Sequence, residues 1–268
     1  MACPWCFVPF GGPRTDLEVL RRVVRRLAAL GVRVVTFGGG DPFAFSHVGD
    51  LLFLARQLGL FVHVDTNGIG LWKDPSKESL VETAIDLLGL PLDGHAAELH
   101  DAMRGTPGHF GVVTTCLARL ARFKRKLKIN TLVSSRNLYM VPEIARVVAS
   151  LEPARWSLYQ FWPLGGRAAS ALADSITNDQ FLEAAARLGG QTDLMGTAVE
   201  AVPAGERRLA YPLVAHDGSV YVHAAAPASG FAPIGSVFDD AAVEQAFALC
   251  RSGRSEFASR YVRGVRSP

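Results

Sequence analysis

Beginning at Thr15, apolar residues recur at the spacing that lays a single stripe along a helix. Leu17, Leu20, Val23, Leu27 and Leu30 are three or four residues apart. Thr15 and Glu18 have capping-box spacing, and Gly31 suits a left-handed helix end. The pattern then changes to a continuous apolar run, "VRVVTF", that leads into "GGGDPF". The same exchange repeats down the chain. Helices are expected near 46–58, 79–86, 110–123 and 141–151, and strands at "LFVHVDT", "LLGLPLD", "KLKINTLV" and "RWSLYQFW". This gives five strands between residues 32 and 162, linked by stretches long enough for parallel crossovers, so the class is α/β. The strands are mostly apolar, as strands covered by helices must be. Each ends in polar or glycine residues, on the edge where barrels and doubly wound sheets bind ligands.

After "PLGG" the composition shifts to Ala-rich and Gly/Ser-containing connections, and we place a boundary there. Residues 1–165 form one unit and 166–268 a C-terminal extension. The extension is expected to hold a helix near 178–188, a hairpin about Asp217-Gly218 and a final helix near 241–250.

With 268 residues, 49% apolar and 20% charged, the chain can bury a large core as one domain, or as one domain with an appendage. Its net charge of +3 is too small to indicate nucleic-acid binding without a concentrated stripe. Two basic runs exist, Arg21/Arg22/Arg25/Arg26 and Lys124/Arg125/Lys126/Lys128. Both are read first as solvated faces, and second as contacts for an anionic ligand or partner. No apolar run approaches the roughly 20 residues needed to span a bilayer. The N-terminus lacks the pattern of a secretory signal, and four cysteines are too few for a disulfide framework. A cytoplasmic setting is therefore expected.

Cys3 and Cys6 enclose Pro4 and Trp5 at the very start. Taken alone, the pair fits free thiols in a frayed terminus, a redox dithiol, or half of a zinc site. A redox dithiol normally follows a strand, and a zinc site needs two further ligands. The histidines at 63, 95, 100, 109, 216 and 223 show no zinc-ligand spacing, and Cys116 and Cys250 read as small side chains packed on helices.

Taken together, "CPWCF", Gly39-Gly40-Asp41-Pro42, Thr66-Asn67-Gly68, "LGLPLDG", Arg104-Gly105 and "KINTLVSSRN" resemble the radical S-adenosylmethionine (radical SAM) superfamily, in that order and at successive βα positions. "CPWC" resembles the second half of its three-cysteine motif, with the first cysteine falling upstream of Met1. The strand segments come nearest to the viperin-like branch, and Lys128, Asn130, Asn137, Trp156 and Gln160 have plausible counterparts there. "DGSVYVHAAAPASGFAPIGSVFD" resembles the cysteine-bearing extensions of peptide-modifying members, without their cysteines.

The resemblance implies a partial (β/α)6 TIM-like barrel with a small C-terminal α+β extension. It also implies a [4Fe–4S] cluster on Cys3, Cys6 and a third thiolate, and S-adenosylmethionine held near Gly39, Gly40, Asp41, Thr66, Asn67, Asp93 and Arg104. Lys128 and Asn130, two apart on one strand face, would meet a nucleotide-like, peptide or other small-molecule substrate. The implied reaction is reductive cleavage of S-adenosylmethionine to a 5′-deoxyadenosyl radical, fed by a flavodoxin- or ferredoxin-like electron donor, in a monomer or weak homodimer. The other reading is a non-catalytic accessory protein that keeps the scaffold.

Overall fold

The computed structural model describes residues 3–7, 16–190, 194, 196–224 and 230–252. In chain order its elements are α1 (Leu17–Ala29), β1 (Val34–Phe37), α2 (Val48–Gln57), β2 (Phe61–Asp65), α3 (Ile69–Lys73), α4 (Ser79–Thr83), β3 (Leu87–Pro91), α5 (Ala97–Arg104) and α6 (His109–Arg119). There follow β4 (Leu127–Val133), α7 (Val141–Leu151), β5 (Arg155–Gln160), α8 (Asn178–Ala186), β6 (Ala198–Val202), α9 (Ala204–Arg207), β7 (Leu213–Val214), β8 (Ser219–His223), β9 (Phe231–Ser236) and α10 (Asp240–Ser252). Strands β1 to β6 form one sheet in sequence order, and every neighbouring pair in it is parallel. This is the partial TIM-like barrel, with six strands rather than five.

The sixth strand lies beyond residue 165, where the composition changes. "AVEAV" escapes a pattern reading because β6 is an outer strand, exposed along its first half, and so carries no apolar run. The expected hairpin forms as β7 and β8, and β9 adds antiparallel to β8 to complete a second, three-stranded sheet. Asp217 Oδ1 accepts from Ser219 N at 2.9 Å, and Gly218 takes the left-handed conformation (φ +88°) that the turn requires.

Alternation along the strands sorts side chains onto two faces. Val62, Val64, Leu88, Leu90, Leu127, Ile129, Trp156 and Leu158 join α2, α6 and α7 in the main core. A second, smaller core joins Val220, Val222, Val237, Val243 and Ala246 to α1 through Val23. Its neighbour Val24 packs into the main core, so α1 is the seam between the two. Asp16, rather than Thr15, caps α1 by accepting from Glu18 N at 2.8 Å; Thr15 lies outside the described residues.

The basic runs are structural ties more than solvated faces. Arg26 donates to Val237 O at 3.0 Å and pairs with Asp240, and Arg22 covers the Phe238 ring at 4.8 Å. Lys124 pairs with Glu152, and Arg125 reaches Gly196 O at 3.3 Å. Lys126 Nζ donates to the carbonyls of Val81, Glu82 and Ile85 at 2.8–2.9 Å, just past the end of α4, where a helix leaves carbonyls unpaired. Lys126→Met is expected to cost about 1 kcal/mol in urea unfolding, because three charge-assisted bonds at a half-exposed site are lost. A cost near zero would show that water replaces the ammonium fully.

Candidate active site at the strand ends

Cys3 and Cys6 close a single turn, with Cys6 N donating to Cys3 O at 3.2 Å. Cys3 is buried and Cys6 half-buried. Trp5, between them, donates its indole N–H to Met103 O at 2.6 Å and lays its ring against the Arg104 guanidinium at 4.6 Å. Arg104 Nε meets Asp93 Oδ2 at 2.6 Å, and Asp93 is fully buried. Burial pushes the Cys3 thiol pKa up; the adjacent guanidinium opposes that rise without cancelling it.

Asp93 is anchored from every side. Its Oδ1 accepts from Leu132 N at 2.8 Å and its carbonyl from Asn137 Nδ2 at 2.9 Å. Its own N–H donates to His100 Nδ1 at 3.1 Å. That bond fixes a relay of tautomers. With Nδ1 accepting, His100 must carry its proton on Nε2, which donates to His109 Nδ1 at 2.8 Å; His109 Nε2 then donates to Asn67 O at 2.8 Å. The rings stack at 5.1 Å, both buried. Burial lowers both pKa values, that of His100 to about 3, with the Arg104 charge assisting. Two neutral imidazoles thus brace the end of β2 against the end of β3.

The Gly-Gly-Asp turn after β1 presents an open backbone. An added Cβ at Gly38, Gly39 or Gly40 would meet nothing within 4 Å, and Gly39 has a φ of +102°. Asp41 points inward: its carboxylate accepts from Thr66 Oγ1 at 2.6 Å, Gly70 N at 2.7 Å and Phe43 N at 3.2 Å. Thr66 Oγ1 accepts from Gly68 N, and Asn67 Oδ1 from Ile69 N, both at 2.9 Å. Asp41, Thr66 and Asn67 therefore spend their side chains on shaping the two turns.

Lys128 and Asn130 lie on the face opposite the main core, as their two-residue spacing requires. Lys128 is fully buried and donates to Tyr159 OH at 2.9 Å. Asn130 Nδ2 donates to Asp65 Oδ1 at 2.7 Å. His63 Nε2 lies 3.2 Å from the same oxygen, and His63 Nδ1 is 3.1 Å from Thr36 Oγ1. Burial alone would raise the Asp65 pKa, but the charges of His63 and Lys128 and the bonds from His63 and Asn130 outweigh it and hold it far below the usual carboxylate range. His63 and Asp65 were legible in "FVHVDT" as polar residues two apart, facing away from Val62 and Val64. His100 and His109 were not, because they lie on separate helices. Trp156 and Asn137 are framework groups: Trp156 Nε1 donates to Thr131 Oγ1, and Asn137 holds Asp93 and Leu132. Gln160 Oε1 likewise accepts from Ala204 N, tying β5 to α9.

The structure thus gathers Cys3, Cys6, Asp93 and Arg104 at one point, and sets the turns of Gly39–Asp41 and Thr66–Asn67 beside each other. The radical SAM superfamily model matches residues 1–146, more than half of the chain. The chain belongs to the radical SAM superfamily. Among curated relatives of this radical SAM chain is an AdoMet-dependent heme synthase of Oleidesulfovibrio alaskensis, 28% identical over 188 residues, covering 68% of this chain and 48% of that protein. Another is an S-adenosylmethionine-dependent nucleotide dehydratase of Lacinutrix mariniflava, 28% identical over 196 residues, covering 68% of this chain and 40% of its own. The chain thus spans under half the length of each. Among solved structures, Streptococcus suis SuiB bound to S-adenosylmethionine superposes with a TM-score of 0.68 at 16% identity, over 91% of this chain and 62% of SuiB. SuiB has also been solved with its precursor peptide SuiA. At that identity, the likeness to SuiB is one of fold.

No helix among the described residues is long and apolar enough to cross a membrane. The described residues also contain no group of three or more His, Cys, Asp or Glu side chains placed to hold a metal. Cys116 cannot join Cys3 and Cys6: it packs on α6 with its Sγ toward Gly68 O at 3.5 Å, and burial pushes its pKa to about 11. The Cys3–Cys6 turn presents two thiols, the donor type that an iron–sulfur cluster takes.

Proposed function

We propose that this chain carries the barrel of a radical SAM enzyme. Cys3 and Cys6 would hold a [4Fe–4S] cluster together with a third thiolate, and the cluster would bind S-adenosylmethionine. When bound, cluster and cofactor supply a 5′-deoxyadenosyl radical; the protein's own part is to place and enclose. In this reading the exposed Gly39–Gly40 backbone receives the methionyl amino group. Arg104, gripped by Asp93 through Nε, keeps its terminal N–H groups for the carboxylate. Asp41, Thr66 and Asn67 keep the two turns in register around the cofactor. Lys128 and Asn130, joined to Tyr159 and Asp65, orient a nucleotide-like or peptide substrate on the concave face. A flavodoxin- or ferredoxin-like donor supplies the electron, in the cytoplasm, to a monomer or weak homodimer. The second sheet and α10, beyond β6, serve as the extension that recognises substrate.

The observation that carries this reading is the docking of the cysteine turn onto the Asp93–Arg104 pair at the C-terminal edge of the parallel sheet. Its test is oxygen-free iron–sulfide loading of this chain and of the product extended upstream to the first in-frame cysteine. The extended form is expected to hold about four irons per chain and release 5′-deoxyadenosine under reduction. A folded extended form that stays colourless would sink the proposal. An extended form that binds S-adenosylmethionine without cleaving it would instead point to the accessory reading, in which the scaffold is kept for binding alone.

A further inference from the structure

The cysteine turn meets α5 through Trp5 as well as through the Cys3 thiol beside Arg104. Trp5, between Cys3 and Cys6, makes two contacts with the adjacent residues Met103 and Arg104. Its N–H satisfies the Met103 carbonyl, in the last turn of α5 where no helical N–H reaches. Its ring covers the face of Arg104, whose Nε is tied to Asp93. The guanidinium is therefore held by face and by edge, beside the buried Cys3 thiol. The other end of the turn is anchored separately: the Phe7 ring lies 6.0 Å from that of Phe231, and Gly166 passes beside Cys6 O.

We propose that Trp5 is a positioning residue. Its indole latches the Cys3 side of the turn to α5 and at the same time fixes the orientation of Arg104. Thiol and carboxylate-binding guanidinium are thus set relative to each other before any cofactor arrives. The inference rests on the reading of Cys3 and Cys6 as cluster ligands. Tryptophan combines a wide ring face for a cation with an N–H donor at its rim; phenylalanine keeps the first and lacks the second.

The test uses the metal-free chain, with iodoacetamide labelling of each cysteine followed by peptide mass spectrometry. Cys116, buried on α6 far along the chain, is the internal reference, because global unfolding exposes it together with Cys3. Trp5→Ala is expected to raise labelling of Cys3 relative to Cys116 on the order of 30-fold, and Trp5→Phe about fivefold. Labelling of Cys6, held by the Phe7 side, should rise less. An unchanged Cys3-to-Cys116 ratio in Trp5→Ala overturns the proposal. Should Trp5→Ala unfold the chain, seen as equal rises at both cysteines, Trp5→Phe decides, and no change in its ratio overturns the proposal as well. Because no iron is present, failure of cluster loading leaves this result standing, and an open latch leaves the loading test to be judged separately.

Discussion

Gly89→Ala is expected to lower folding stability by about 3 kcal/mol, although it adds a single methyl group to a fully buried strand. An ideal Cβ at Gly89 would run into Asp65 Oδ1 and stand 2.7 Å from Asn130 Nδ2. Asp65 cannot simply turn aside, since that oxygen is where Asn130 donates and His63 pairs. Moving it strips a half-buried carboxylate of its partners, and such a group costs more unpaired than its bonds contribute when made. Gly89 thus leaves the space in which the concave-face polar cluster assembles. Urea unfolding checks the value, and a double-mutant cycle checks the cause. In an Asp65→Ala background the added methyl should cost less, because its nearest clash has gone and Asn130, freed from Asp65, can shift away. An equal cost in both backgrounds would place the strain elsewhere.

Acidification from pH 7.5 to 5 is expected to weaken the fold by about 2 kcal/mol through His100 alone. Its native pKa lies near 3 against an ordinary value of 6.5. Between those limits the unfolded chain binds a proton that the native imidazole refuses, so stability is full above pH 6.5 and falls as pH drops toward 3. His109 and His223 are depressed too, the latter to about 4, and both act in the same direction. Carboxylates contribute little in this window, because unfolded Asp and Glu titrate below it. The unfolding free energy at the two pH values is the measurement. His100→Gln, which removes the titrating ring, should be less stable at pH 7.5 yet flatter with pH. A wild-type stability that does not change over the interval would mean that the relay accepts a proton where it stands.

The two expectations concern groups of different legibility. His63 and Asp65 alternate with Val62 and Val64, so their shared face can be read from four letters. The role of Gly89 cannot: a glycine in an apolar strand says only that something comes close, and the neighbours that come close sit on β2 and β4. The same limit explains the site residues. Asp41, Thr66 and Asn67 were placed at the cofactor by resemblance, and they do stand at the strand ends, but as side chains that shape turns. Nothing local distinguishes a carboxylate that meets a ligand from one that meets a backbone N–H.

Local sequence did determine the alternation of helix and strand, the limits of α7 and the turn at Asp217-Gly218, because each depends on periodicity or on the conformational range of one or two residues. Only the tertiary structure decided that β6 joins the parallel sheet, that α1 divides two cores, that the basic runs cap carbonyls and pair across elements, and that Trp5, Arg104 and Asp93 form one cluster. These depend on contacts between residues tens of positions apart, and such contacts leave no period in the chain.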